Sequence, residues 1–313
     1  MLLLFRFVEW IKEMGHRGFP LPPIKIKAAV KLYLDRCKIQ IKQFSNNRPG
    51  KSWWYAFWRR HPDLKITKSE KLEKSRAMAC TEEAVSKWFR EFDELLKELG
   101  ITSPQQIYNV DESGFPLQSK NTLRVCVDKL IRRNFQQVSA NKDSITSIQC
   151  ICANGTVLPP SVLFPGKNFN PEYAYQLPRD GFIGFSPTGW ITTEQFYGWI
   201  ANHFIVNIPA IRPVVLLIDG HSSHIDYHTS KLCKDNDVHL FRLPPHISHA
   251  IQPCDKYFFA NFKKNWTNEV ADFTVANPGM QITKKTFGGI FSEAYRKTCS
   301  VKVVQDSFEA TGI

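Results

Sequence analysis

The sequence predicts an α/β domain preceded by a small all-α module, on three observations. Charge is segregated: residues 1–80 hold 18 Lys/Arg against 6 Asp/Glu, residues 81–313 hold 23 against 23, and the whole excess of +12 lies in the first quarter. The first 80 residues carry three helical apolar patterns. From residue 105 onward, short apolar runs bounded by turn residues alternate with amphipathic stretches, as in a sheet covered by helices.

A length of 313 residues suits about two domains. The eight cysteines are scattered without a Cys-x-x-Cys pair, which excludes a zinc ribbon or dithiol redox motif and suits free thiols in a reducing compartment. The apolar start MLLLFRFVEWIK breaks at Arg6 and Glu9, too early for a signal peptide or a spanning helix. With nothing directing the chain to secretion, the Asn154 and Asn265 sequons carry no weight, and no membrane association is expected.

The first helix is expected over about 2–14, with Leu4, Phe7, Val8 and Ile11 on one side and Gly15 and Gly18 after it. A second runs from about Pro23 to Lys42, burying Ile26, Val30, Tyr33 and Leu34 and leaving Lys25, Lys27, Lys31 and Arg36 off that stripe. A third lies in RPGKSWWYAFWRRHPDL, with Ser52 as cap, Trp54, Phe57 and Trp58 at helical spacing, Trp53 and Tyr55 nearer the exposed side, and Pro62 as stop. A short third helix bearing Lys51, Arg59 and Arg60 suits a recognition helix in a major groove, its cations neutralising phosphates. Residues 68–77 form a basic linker. TEEAVSKWFREFDELLKELG, 81–100, is an amphipathic helix with Thr81 as N-cap and an apolar face that packs on the following domain.

In QQIYNVDESG a short strand, Ile107 to Val110, ends at Asp111. SITSIQCICANGTVLPPSVLF, 144–164, reads as two strands joined by an Asn154-Gly155 turn, with Cys150 and Cys152 on one sheet face. VVLLIDG is a strand buried on both faces that ends at Asp219, and DVHLFRLPP is a further strand. QPCDKYFFANFKKNW opens a helix with Pro253 and Asp255 in its first turn and Phe258, Phe262 and Trp266 packed.

Asp111, Asp219 and Asp255 thus fall at the ends of elements and can converge at one sheet edge. Carboxylates so placed repel one another unless cations neutralise them. Mg²⁺ suits such a set, because it takes oxygen ligands, keeps waters and leaves positions for phosphate. Two such ions activate a water or a 3′-hydroxyl and stabilise the leaving oxygen of a phosphodiester. Strand alternation turns Glu112 away from Asp111. His221 and His224 suit phosphate contact or turn roles equally, His246, Ser248 and His249 are substrate-contact candidates, and Arg132 and Arg133 suit DNA contact or solvated positions.

Two resemblances extend this reading. VEWIKEMGHRGFPL and RPGKSWWYAFWRRHPDLKI, over residues 5–70, resemble the helix-turn-helix of centromere protein B and pogo-type transposases. Two such units lie in tandem there, and this chain begins inside what looks like the second, so the first is missing. YNVDESGF, LLIDGHSSH, LPPHISHAIQPCD and NFKKNW, over 105–270, resemble the aspartate-triad transposase domain of the pogo and Tigger group of the mariner superfamily. Cys254 and Lys256-Tyr257 stand where smaller or aliphatic residues are commoner in that group.

The resemblance implies a ribonuclease-H-like catalytic domain, with Asp111, Asp219 and Asp255 as catalytic residues holding Mg²⁺ or Mn²⁺. It implies DNA strand cleavage by water and strand transfer by a 3′-hydroxyl. Lys51, Ser52, Trp54, Tyr55, Arg59 and Arg60 would read double-stranded DNA, at terminal inverted repeats, in the nucleus, with a homodimer as a further expectation. The expected domains are a DNA-binding module over 1–72, a linker and connecting helix over 73–104, a catalytic domain over 105–275 and a C-terminal extension over 276–313. The rival expectation is a domesticated DNA-binding protein that no longer cuts; all three aspartates being present argues against it.

Overall fold

The computed structural model describes residues 2–16, 20–67, 81–117, 143–166, 170–187, 189–220, 226–245 and 247–313, with side chains from Phe7 onward. The expected basic linker, Arg132, Arg133, His221, His224 and His246 lie outside the described residues. The chain divides into two compact units, Met1–Ala77 and Met78–Ile313.

Among the described residues, the first unit contains three α-helices, α1 (Leu2–His16), α2 (Pro23–Arg36) and α3 (Lys51–Arg59). Ile26, Val30 and Leu34 are buried, as the helical spacing predicts, with Val8 and Phe57. Helix α2 stops at Arg36, short of the expected Lys42. Lys38 turns left-handed (φ 56°), and the Ile39 N–H returns to the Leu34 carbonyl. Asn47 then holds the exit, donating to Asp35 and the Ile39 carbonyl and accepting from the Ile41 N–H. Ser52 does not cap α3: Gly50 is the N-cap and Ser52 lies inside the helix. The expected packing is also redistributed. Trp58 is exposed and donates to the Leu64 carbonyl, whereas Trp53 is half-buried and stacks on Phe57 with ring centroids 5.0 Å apart.

The second unit is mixed α/β, around a six-stranded sheet ordered β4-β3-β2-β1-β5-β6. Its strands are β1 (Ile107–Pro116), β2 (Ser144–Cys152), β3 (Ser161–Pro165), β4 (Phe182–Ser186), β5 (Val214–Ile218) and β6 (Val238–Arg242). Strands β1, β2 and β3 pair antiparallel, while β1–β5, β5–β6 and β3–β4 are parallel.

One sheet face carries Tyr108, Val110, Ile148, Cys150, Cys152, Leu216 and Ile218 under α5 (Thr193–Trp199) and α6 (Tyr227–Asp235). The other face is covered in two parts. Val215 and Leu217 pack under α4 (Glu82–Glu98) and the short α7 (Ser248–Ile251). Phe115, Ile145, Ile151, Val162 and Phe164 pack under α8 (Phe259–Ala276), α9 (Lys284–Thr298) and α10 (Val301–Glu309). Alternate residues of VVLLI thus enter different cores, which is why the run is apolar without a break.

Thr81 caps α4 by accepting from the Ala84 N–H, and Trp88 Nε1 donates to the Arg242 carbonyl, fixing this helix to the end of β6. Residues 276–313 are not a separate extension. Phe287, Phe291, Val304 and Phe308 fill the core under the sheet, and Asn265 Nδ2 donates to Thr298 Oγ1 between α8 and α9. The Asn154-Gly155 turn forms as expected. Gly155 (φ +102°) lies so close to Val301 that a Cβ would approach its Cγ1 to 2.6 Å. Strand β3 starts only at Ser161, after Pro159-Pro160. The described cysteines are free, and among the described residues no helix is long and apolar enough to cross a membrane.

Candidate active site

Strand β1 does not end at Asp111. It continues to Pro116, because β2 supplies an antiparallel partner along that length, Asp111 standing opposite Gln149. Its other neighbour stops sooner: β1 pairs with β5 only from Ile107↔Val215 to Asn109↔Leu217. Asp111 lies one side-chain repeat past Asn109, and Asp219 follows the end of β5; both line the same cavity. The sheet opens at the place where the two carboxylates stand.

Asp255 comes from the helical layer on the sheet face of Asn109 and Leu217. Pro253 leads into a π-turn, Cys254–Phe258, which runs on into α8. Phe258, Phe262 and Trp266 are buried as expected, and Asp255 is on the exposed side. Single-turn π segments inside helices are rare and recur at functional sites.

Asn109 ties these parts together. Fully buried on β1, it donates through Nδ2 to the Leu217 carbonyl at 3.1 Å, and its Oδ1 accepts the Cys254 N–H at 2.9 Å. One carboxamide thus fixes the strand that leads to Asp219 and the turn that carries Asp255. Cys254 is buried beneath, its Sγ 3.7 Å from the Asn109 carbonyl and 3.9 Å from that of Gln149. Sequence reading missed Asn109; the only local signal was a polar residue at a core position of an apolar strand.

Asp255 and Asp219 both bear on the charge of Asp111. Asp111 is half-buried, and its carboxyl is held well above the usual carboxylate range. Desolvation is the first cause and the negative charge of Asp255 the second. Asp219 and Glu112 push the same way, against the Glu112 N–H, which donates to Asp111 Oδ1 at 2.8 Å. A cavity of about 360 Å³ opens between Asp111, Glu112, Asp219, Trp190 and Ile191. Glu112 borders this cavity, while its register opposite Ile148 keeps it on the sheet face away from Asp111, as alternation predicts. It lies beyond the end of the β1–β5 pairing, where the strand edge is open. The Arg242 guanidinium donates to the Gly220 carbonyl at 2.7 Å, next to Asp219 in the chain.

The donor set is hard oxygen from Asp111 and Asp219 on an open cavity, which fits a hydrated Mg²⁺ or Mn²⁺. Among the described residues, no three of His, Cys, Asp and Glu are gathered tightly enough for a single ion. Close by in sequence, Gln252 is fully buried with neither end of its carboxamide paired, and the buried His249 Nδ1 is likewise unpaired. Ser248 is the first residue of α7.

In the three-helix unit, Lys51, Ser52, Tyr55, Arg59 and Arg60 are exposed on or just after α3, and Trp54 is half-buried. Lys51, Tyr55 and Arg59 follow one another at i, i+4 and i+8, so they share a helix face.

The family model for DDE superfamily endonucleases matches residues 142–309, taking in Asp219 and Asp255 and starting after Asp111. The chain is similar to the Jerky protein of Mus musculus, 24% identical over 279 residues, which are 85% of this chain and 46% of that protein. It is also similar to a protein of Cochliobolus lunatus named MFS-type transporter clz9, 31% identical over 216 residues, 67% of this chain and 23% of that protein. The chain thus spans less than half the length of these relatives. Among solved structures, a pre-cleavage Mos1 transpososome aligns with a TM-score of 0.44 and 11% identity, over 92% of this chain and 79% of that one. The catalytic domain of Mos1 mariner transposase aligns at 0.38 and 11%, over 79% and 98%. With more than half its length matched by the family model, the chain belongs to the DDE superfamily endonucleases.

Proposed function

We propose that this chain is a transposase-derived protein of the pogo and Tigger group that cuts and joins DNA at the Asp111, Asp219 and Asp255 site with Mg²⁺ or Mn²⁺. The observation that carries the reading is the convergence of these carboxylates. Asp111 and Asp219 line one cavity beyond the end of the β1–β5 pairing, and the charges of Asp255 and Asp219 bear on Asp111. Such a set is unfavourable alone and becomes favourable with a cation and a phosphodiester. A sheet of three antiparallel strands continued by parallel strands, with helices on both faces, supports a ribonuclease-H-like reading of the second unit.

When bound, the metal supplies Lewis-acid activation of the attacking hydroxyl and stabilisation of the leaving oxygen. Asp111 and Asp219 would hold it, and Asp255 would complete the acidic set. Asn109 keeps the two carboxylate-bearing elements in fixed relation. The three-helix unit is the DNA reader, with the exposed face of α3 set against duplex phosphates and groove edges as a helix-turn-helix recognition helix. Work on chromosomal DNA would place the protein in the nucleus.

The full chain should nick DNA carrying its terminal inverted repeats only with Mg²⁺ or Mn²⁺. Asp219→Ala should abolish cutting while leaving binding intact; cutting that persists in this variant would sink the assignment. One observation favours a second reading, a DNA-binding protein that has lost catalysis: no three acidic groups are gathered for a single ion among the described residues. Wild-type protein that binds the repeats but never cuts them would establish that reading instead.

A further inference from the structure

Among the described residues, the buried side-chain nitrogen and oxygen atoms without a hydrogen bond are Gln149 Oε1, His249 Nδ1 and both ends of the Gln252 carboxamide. They are not scattered. Gln149 stands opposite Asp111 in the β1–β2 register, and residues so paired are side-chain neighbours on one sheet face. His249 lies on α7 and Gln252 directly follows it, just ahead of the turn that carries Asp255.

Neither glutamine is free to turn elsewhere. The single Ser147 hydroxyl proton goes to the Ser161 carbonyl, so Ser147 Oγ accepts from Gln149 Nε2, at 2.5 Å, and Oε1 is left over. At Gln252 the backbone is held from both sides. Its N–H donates to the Ser248 carbonyl at 2.8 Å, and its carbonyl accepts the Lys256 N–H at 2.9 Å. Ile251 before it is buried in the core under β5, and Cys254 after it is tied to Asn109. The Gln252 carboxamide is thus kept out of water with its oxygen and its amide hydrogens unused. An apolar side chain of similar length would cost less in this place, because a buried polar group without a partner forfeits its hydration.

We infer that Gln252 is a positioning residue for the metal-loaded site: its carboxamide takes its partners when a hydrated divalent ion joins the acidic set, and it then fixes the turn that carries Asp255. The inference rests on the proposed metal site and adds to it a residue outside the three aspartates. The chemistry is complementary. A hydrated ion offers O–H donors to an amide oxygen, and carboxylates offer acceptors to an amide NH₂. The alternative is a buried water that satisfies the carboxamide at all times. The two differ in the sign of their effect on stability.

The test uses the full chain, Mn²⁺ as the ion, and Gln252→Met, which keeps the length of the side chain without its polar groups. Without metal, Gln252→Met should melt higher than wild type. Mn²⁺, followed by loss of the free-ion EPR signal, should bind the variant about 10- to 100-fold more weakly. Gln252→Asn, which keeps a shorter carboxamide, should fall between the two in affinity. Stability and metal affinity then move in opposite directions, which a side chain serving only the fold would not produce. A Gln252→Met protein that melts lower than wild type without metal, or fails to fold, overturns the inference, since the carboxamide then has a partner at all times. Equal Mn²⁺ affinity in wild type and Gln252→Met, with binding lost in Asp219→Ala, overturns it and spares the metal site. Wild type that binds no Mn²⁺, or an Asp219→Ala variant that binds it as well as wild type does, overturns the metal site and the inference with it.

Discussion

On the proposed function, the α3 helix and the carboxylate edge would meet the same polyanion with opposite charge. The Met1–Ala77 unit exposes Lys51, Arg59 and Arg60 on or just after one short helix, and residues 1–80 hold the chain's whole excess of +12. Such a surface attracts phosphate directly by releasing counterions, needing no metal. Asp111, Asp219 and Asp255 lie in a region with no net charge, and such an acidic set would repel phosphate until a cation intervenes. Affinity and chemistry are thereby separated. On that reading one region would hold DNA under any divalent-ion condition, and the other would act on it only when metal is bound.

The largest predicted effect comes from breaking the basic side of this contrast. Replacing Lys51, Arg59 and Arg60 together by Ala should weaken DNA binding steeply. It should also lower the slope of log affinity against log salt by about 0.9 for each phosphate no longer neutralised. Chelating the metal should leave that slope unchanged. A triple variant with the wild-type slope would show that α3 is not the polyanion reader. Asp219→Ala should show the complementary pattern, with binding kept and cutting abolished.

A smaller effect should sharpen the acidic side. Asn109→Ala leaves the Leu217 carbonyl and the Cys254 N–H without partners in a fully buried place. Each orphaned group costs about 1–3 kcal/mol, so the denaturant midpoint should fall. Metal affinity or cutting should drop about 10- to 100-fold, the usual cost of removing a group that orients the ligands. The binding of duplex DNA should not change. A variant that loses stability but keeps full metal affinity would reduce Asn109 to a core hydrogen bond.

These two regions also differ in how much could be read from residue order. Local periodicity was enough for the buried stripe of α2, the two-sided burial of VVLLI and the inward Phe258, Phe262 and Trp266. It was enough to single out Asp111, Asp219 and Asp255, although Asp111 proved to lie within β1 and not at its end. It failed where distant partners decide the outcome. Strand β1 runs past Asp111 because of residues 144–149 on β2, and Asn109 acquires its role from groups 108 and 145 positions away. At α3, Gly50 took the cap ahead of Ser52, and Trp53 rather than Trp58 found Phe57 and Phe44 to pack against.

The smallest effect concerns what the acidic edge costs when no metal is present. Asp111 keeps its proton to a higher pH in the folded chain than its ordinary value of 3.8, because burial and Asp255 both oppose its charge. The folded state then binds more protons than the unfolded one between those two pKa values, and stability falls as pH rises through that window. Below 3.8 the carboxyl is protonated in both states and imposes no penalty. Asp111→Asn removes the charge without changing the side chain's size, so the metal-free variant should melt higher than wild type at neutral pH. The gap should close as the pH is lowered toward 3.8. Added Mg²⁺ should raise the melting temperature of wild type more than that of the variant, since only wild type has the repulsion to relieve. A variant less stable than wild type at neutral pH without metal would mean that Asp111 is held by favourable contacts, and that the acidic edge is not the strained partner of the basic helix.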